Sequence, residues 1–168
     1  DNLKVKIFET RDEMGACASN DAAECIKKLL AEKEEINMIF AAAPSQNETL
    51  AGLVADKSID WTRVNAFHMD EYVGLKSDAP QAFGNFLKEH IFAKLPFKAV
   101  YYICTAGETE EEICKNYAKL IEEHPIDIVC LGIGENGHIA FNDPWVADFN
   151  DKNIIKKVEL DEVCRNQQ

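Results

Sequence analysis

Nowhere does this sequence hold an apolar run approaching the roughly 18 residues of a membrane span, so no membrane segment is expected. Its six cysteines, Cys17, Cys25, Cys104, Cys114, Cys130 and Cys164, form no C-x-x-C pair. That argues against a zinc site, a redox motif or a disulfide framework. Several of them fall on apolar faces, so reduced, buried thiols are expected. Basic residues are scarce: 18 Lys and Arg stand against 30 Asp and Glu, for a net charge of −12. Nucleic acid and anionic membrane both reward a basic face, so neither is expected as a partner. An anionic ligand would have to be caught by local backbone amides or a few cations. No signal-peptide pattern is visible in a chain that begins without Met, and a cytoplasmic location is expected. Repeats, low-complexity tracts and linker-like stretches are absent as well. What remains is 168 residues with 46% hydrophobic content, which suits one globular domain with a sizeable core.

Apolar strands and amphipathic helices alternate along the chain. Strands are expected at Leu3 to Phe8, Met38 to Ala43, Val64 to Phe67, Val100 to Cys104, Ile126 to Leu131 and Ile154 to Leu160. Thr10-x-x-Glu13, Ser45-x-x-Glu48 and Thr109-x-x-Glu112 read as capping boxes, each opening a helix, the first running to about Glu35. Phe83, Phe86, Leu87, Ile91 and Leu95 mark a further amphipathic helix. Asp161 to Gln168 resembles a helix just beginning. This alternation predicts an α/β fold: a three-layer, Rossmann-like, mostly parallel sheet with helices on both faces.

Two strand ends carry chemistry. Ile126 to Pro144, IDIVCLGIGENGHIAFNDP, runs from a buried strand into a glycine loop that delivers His138 and then Asp143. Arg63 to Leu75, RVNAFHMDEYVGL, runs from a short strand into the carboxylates Asp70 and Glu71. Ligands of α/β proteins bind at this carboxyl edge of the sheet. Gly132, Gly134 and Gly137 spell G-x-G-x-x-G, but HIAFNDP follows where a dinucleotide site needs a helix, and Pro144 disfavours helical geometry at Asp143. Nucleotide binding is therefore not expected. Among 30 acids an adjacent pair is by default a solvated surface feature. Its place at a strand end, within an apolar motif, favours a functional reading. A histidine near neutral pKa beside carboxylates suits acid–base work on a small molecule. His68 reads as packing or support, Tyr72 as loop packing, and His90 and His124 as helix-surface residues. No metal set emerges from the spacing.

The motifs HMDEYVGL and LGIGENGHIAFNDP resemble those of the glucosamine-6-phosphate deaminase (isomerase) family, in order and at matching spacing from about Ile36 onward. The related 6-phosphogluconolactonases share the fold and a glycine–histidine loop, but IAFNDP and the DEYVG run are similar to the deaminases. The resemblance implies a cofactor-free isomerase and deaminase acting on a small-molecule amino-sugar phosphate. It implies Asp70 as the enolisation base, His138 as the ring-opening base, Asp143 as the support of the histidine, and Asn136 at a position that is Asp in some members. Glu71, Gly134 and Gly137 are expected near the substrate. Residues 1–168 would form a single α/β domain lacking the C-terminal part of the family's catalytic domain, and a homo-oligomer is left open.

One segment departs from the family pattern. Many deaminases carry a glycine-rich phosphate loop after the second strand, where this chain reads Ala43-Pro44-Ser45-Gln46-Asn47-Glu48. Helix N-terminal amides there still offer a positive dipole end, so Ser45, Gln46 and Asn47 are the expected phosphate contacts, although Glu48 adds a negative charge. The alternatives are a 6-phosphogluconolactonase-like hydrolase and a non-catalytic sugar-phosphate-sensing domain, for which the acid–histidine set would be superfluous.

Overall fold

Strands that read as continuous apolar runs need cover on both faces, and the chain supplies it in a computed structural model that describes residues 3–103 and 108–160. The elements run α1 (Arg11–Glu32), β1 (Ile36–Phe40), α2 (Asn47–Ala55), β2 (Val64–His68), α3 (Phe83–Leu87), β3 (Ala99–Tyr101), α4 (Glu110–Glu123) and β4 (Ile128–Cys130). All four strands are parallel, in the order β3-β2-β1-β4. The chain thus builds outward from β1 to β3, then returns to the far side of β1. Loops after β1, β2 and β4 therefore all leave from one carboxyl edge of the sheet, where ligand crevices of such folds lie.

Met38, Phe40, Val64 and Ala66 face one side of the sheet, where Ile26 of α1, Leu53 of α2 and Leu87 of α3 close the main core. Fully burying each such aliphatic side chain contributes roughly 1.5–3 kcal/mol. Helices α1 and α2 pack closely enough that a Cβ on Gly52 would lie 2.2 Å from Ser19 Oγ. On the opposite face Phe67 stacks on Tyr101 at 4.7 Å, and Tyr117 of α4 closes over Phe67 at 6.0 Å. Val129 of β4, on that same face, stays 47% exposed.

The amino edge of the sheet is built for stability. The last turn of α1 has no basic residue of its own. Arg63, ahead of β2, supplies the cation by donating to the carbonyls of Leu30, Lys33 and Glu34. Asp127 accepts from the Asn37 amide at 3.0 Å and pairs with Lys33, fastening the start of β4 to β1.

The capping boxes at Thr10 and Thr109 form as expected. The one at Ser45 does not. Pro44 starts a single 3-10 turn over Pro44–Gln46, which places Ser45 inside the turn, and α2 begins at Asn47 without a side-chain cap. Glu48 instead pairs with Arg11 at 2.9 Å. The helix expected from Phe83 to Leu95 is a short α3 followed by a π turn over Lys88–Phe92, closed by the Ala93 amide on Lys88 O at 2.9 Å. The wider turn lets two consecutive residues, Ile91 and Phe92, both enter the core.

Two expected strands are absent among the described residues. Leu3, Val5 and Ile7 are 84%, 74% and 91% exposed and join no ladder, because alternation makes a strand only where a neighbour and a buried face exist. Residues 154–160 are irregular as well. Cys104 and the helix start at 161–168 lie outside the described residues. Cys17, Cys25, Cys114 and Cys130 are free thiols, but none is fully buried as expected: three are half-buried and Cys25 is exposed.

Candidate active site

Asp70 stands two residues beyond the end of β2. Burial, with Glu71 next to it adding like charge, pushes its carboxyl up to about 7 from an ordinary 3.8. That value puts it near half-ionised at neutral pH, where a carboxylate can both take and return a proton.

Glu71 has different partners from those expected of a substrate ligand. Its carboxylate accepts from the amides of Tyr72 at 2.9 Å, Phe83 at 3.0 Å and Gly84 at 2.9 Å. It clamps the loop leaving β2 onto the first turn of α3. Adjacent acids in the sequence therefore have distinct surroundings: one is desolvated, the other satisfied by backbone donors.

The loop after β4 is built around two glycines. Gly137, at φ +86°, makes the turn whose amide bonds back to Gly134 O at 2.9 Å. The imidazole of His138 folds over Gly134, where an added Cβ would lie 2.2 Å from its Cε1. No helix follows Gly137; an isolated bridge between Ile139 and Asn142 does, which agrees with the rejection of a dinucleotide site.

Asn136 lies between His138 and Asp143. Its amide nitrogen donates to Asp143 Oδ1 at 2.9 Å, and its oxygen lies 2.6 Å from His138 Nδ1. A carboxylate only accepts, so the Asn136 NH2 must face Asp143 and its oxygen must receive the Nδ1 proton. Nε2 then carries the lone pair and is the ring's basic atom. Asp143, 1% exposed, stands 3.4 Å from Nδ1, so it acts on the ring chiefly through Asn136. The relay is one residue longer than the sequence suggested.

A cavity of about 640 Å³ lies beside these loops, lined among others by Asp70, Tyr72, Ile113, Gly137, Phe141 and Lys156. Tyr72, Phe83 and Phe141 form a ring triangle, with Tyr72 and Phe141 centroids 5.4 Å apart, that couples the Asp70 loop to the His138 loop. Ser45 and Gln46 stand elsewhere, across the crevice. A Cβ on Gly132 would lie 3.2 Å from Gln46 Nε2 and 3.7 Å from Ser45 Oγ. Gln46 is buried, while Ser45 and Asn47 are exposed at the start of α2. The structure thus gathers the loops of β1, β2 and β4 on one sheet edge, with the imidazole turned toward Gly134 rather than lining the cavity.

His68 is fully buried, in keeping with its reading as support. His90 and His124 are half-buried rather than on the surface: His90 stacks on Phe86 at 3.9 Å, and His124 lies against Tyr101 at 4.9 Å. Sequence reading missed the Arg11–Glu48 pair, which spans 37 positions, and the Tyr117 hydroxyl that reaches β2. Among the described residues no three His, Cys, Asp or Glu side chains converge as metal ligands.

The family described as glucosamine-6-phosphate isomerases/6-phosphogluconolactonase matches residues 9–141. A glucosamine-6-phosphate deaminase of Lactobacillus helveticus is 35% identical over 142 residues, covering 84% of this chain and 57% of that protein. One from Listeria monocytogenes is 36% identical, covering 85% and 60%. The chain therefore spans less than two thirds of the length of these curated relatives. Among solved structures, a monomeric glucosamine-6-phosphate deaminase superposes with a TM-score of 0.86 at 26% identity, covering 98% of this chain and 68% of that one. A 6-phosphogluconolactonase from Thermotoga maritima gives 0.69 at 25% identity, covering 75% and 58%.

Proposed function

This chain belongs to the family of glucosamine-6-phosphate isomerases and 6-phosphogluconolactonases, and from that premise we propose that the protein converts glucosamine 6-phosphate, or a related hexosamine 6-phosphate, to a ketose 6-phosphate and ammonia. His138 Nε2 takes the O1 proton and delivers one to the ring oxygen, opening the pyranose. Asp70 lifts the C2 proton and returns it to C1, while a proton passes from the amine nitrogen to O1, leaving a C1 alcohol and a C2 imine. Water adds there and ammonia departs, so no redox partner is needed. Asn136 holds the Nδ1–H tautomer, and Asp143 holds Asn136. The phosphate is received at the start of α2 by Ser45, Gln46 and Asn47, at the positive end of the helix dipole. Glu71 serves this chemistry by anchoring the Asp70 loop.

The observation that carries the reading is the Asp70 carboxyl, raised to about 7 by burial on a cavity wall it shares with the histidine loop. A sensor would gain nothing from a base poised at neutral pH. The test is the full-length protein incubated with glucosamine 6-phosphate, with its 2-epimer, and with 6-phosphogluconolactone, measuring ammonia and ketose phosphate. Ammonia and ketose released in equal amounts is the expected result. Lactone hydrolysis without deamination would overturn the reading in favour of the hydrolase relatives.

A further inference from the structure

We propose that His68 is a positioning residue, whose imidazole holds the Asp70 backbone in place and ties it to the chain leaving β3. The inference rests on the reading of Asp70 as the enolisation base. His68 Nδ1 lies 2.9 Å from the Asp70 carbonyl oxygen, and Nε2 lies 2.9 Å from the Ile103 amide nitrogen. A carbonyl only accepts and an amide N–H only donates. The ring is therefore neutral, with its proton on Nδ1 and its lone pair on Nε2. Burial, which lowers the imidazole pKa, favours the same neutral form against the opposing charge of Glu71. The rings of Tyr102 and Tyr117 stand 6.0 and 6.2 Å away.

The main chain of His68 is held as firmly as its ring. Tyr117 Oη accepts from the His68 amide at 3.0 Å and donates to its carbonyl at 2.9 Å. An apolar side chain would fill this buried position without needing polar partners. Here both ring nitrogens are matched to backbone groups of Asp70 and Ile103, and both of those residues line the cavity. The fixed bonds thus run to the two chain segments that shape the wall carrying the base. A displacement of about 1 Å at such a wall is enough to slow proton transfer roughly a hundredfold.

Two amide replacements separate the contacts. His68→Asn keeps a donor at the place of Nδ1 and can still hold Asp70 O, but cannot reach Ile103. His68→Gln carries its amide one bond further out and suits Ile103 instead. In the full-length protein, kcat and KM for glucosamine 6-phosphate are measured with the Asp70 carboxyl midpoint, read by ¹³C NMR titration. His68→Asn should keep kcat within about threefold, with the midpoint near 7. His68→Gln should lose about tenfold or more in kcat, keep KM within about threefold, and move the midpoint down by about a unit as water reaches the carboxyl. Variants that titrate and turn over alike would overturn the proposal, as would a folded His68→Asn protein as inactive as Asp70→Asn. If no amino-sugar phosphate is deaminated by the wild type but the two midpoints still separate, the positioning role stands and the reading of the reaction fails.

Discussion

The loop after β2 and the loop after β4 hold their reactive groups by opposite means. Asp70 is fixed through backbone: His68 and Glu71 spend their side chains on main-chain partners, and the carboxyl itself is left desolvated. His138 is fixed through side chains, by the Asn136–Asp143 relay, on a loop with positive φ at Gly137 and Ala140. Its ring keeps 23% of its surface exposed. In the proposed reaction, a base that must move a carbon-bound proton gains from dehydration, which brings its pKa up to working range. A base that trades protons between sugar oxygens in that reaction needs a defined tautomer and access.

Removing the desolvated group should have the largest effect. Asp70→Asn is nearly isosteric and cannot accept a proton, so kcat should fall on the order of a hundredfold or more. Stability should move the other way. The carboxyl titrates near 3.8 when unfolded and about 7 when folded. Below both values the two states bind the same proton and the folded state keeps its full stability. As pH rises above 3.8 the unfolded chain sheds its proton first, so stability falls progressively, and the loss is complete once pH has passed through about 7 and the buried group has ionised. The amide of the variant would carry no such charge. Urea unfolding should find the variant more stable than wild type at pH 8, and the difference should vanish near pH 4. Equal stability at both pH values would mean that Asp70 is not desolvated.

On the histidine side, shape matters more than charge. Gly134→Ala places a methyl 2.2 Å from His138 Cε1, so the ring must leave its seat and the bond to Asn136 with it. Turnover should drop roughly ten- to a hundredfold, within the usual range for a lost acid–base group, while the melting temperature changes little on so exposed a loop. Gly132→Ala is the control. Its methyl meets the end of Gln46, a proposed phosphate contact, at 3.2 Å, so kcat should survive and any cost should fall on KM. A Gly134→Ala protein with wild-type kcat would mean that the ring's position over Gly134 is not the working one.

The contrast between the loops also explains what could be read without coordinates. Helix starts at Thr10 and Thr109 were legible because a capping box depends on neighbours within four residues, and the parallel sheet because strands alternate with crossover helices along the chain. The same local signal failed at Ser45, where Pro44 and Arg11, a residue 37 positions from Glu48, decide the outcome. Leu3 to Phe8 alternates correctly, yet pairing is a property of a partner that alternation cannot supply. At the site, residue types and strand-end positions were visible for Asp70, His138 and Asp143. The partition of roles between Asp70 and Glu71 was not, because it depends on where the amides of Phe83 and Gly84 fall.

Adding charge to the relay sharpens the comparison further. Asn136→Asp sets a carboxylate against His138 Nδ1 and also against Asp143, at the present 2.9 Å contact. Two carboxylates so close share a proton, and the remaining negative charge stabilises the imidazolium. The histidine should become more basic and the acid limb of kcat/KM should move to higher pH, with kcat at the optimum changed by less than about tenfold. A pH profile identical to wild type would place Asn136 outside the relay.

The smallest expected effect lies at the start of α2, in the loop that follows β1. Arg11 donates to Pro44 O and to Glu48, both at 2.9 Å, and so draws the Glu48 charge back toward α1. Its pKa is raised and that of Glu48 lowered by their hydrogen bond. An exposed pair of this kind adds little to stability. Its consequence is electrostatic. With Arg11→Ala, Glu48 stands uncompensated in the first turn of α2, where the substrate phosphate is proposed to bind. One added charge several ångströms from a phosphate, in water, should raise KM by about three- to tenfold and leave kcat unchanged. Salt should narrow the gap, because exposed charges are screened. Adding Glu48→Gln to Arg11→Ala removes the offending charge and should bring KM back toward wild type, whereas two independent structural defects would add. A double variant worse than Arg11→Ala alone would show that the pair shapes the loop rather than its charge. The phosphate would then have to be received elsewhere than at the start of α2.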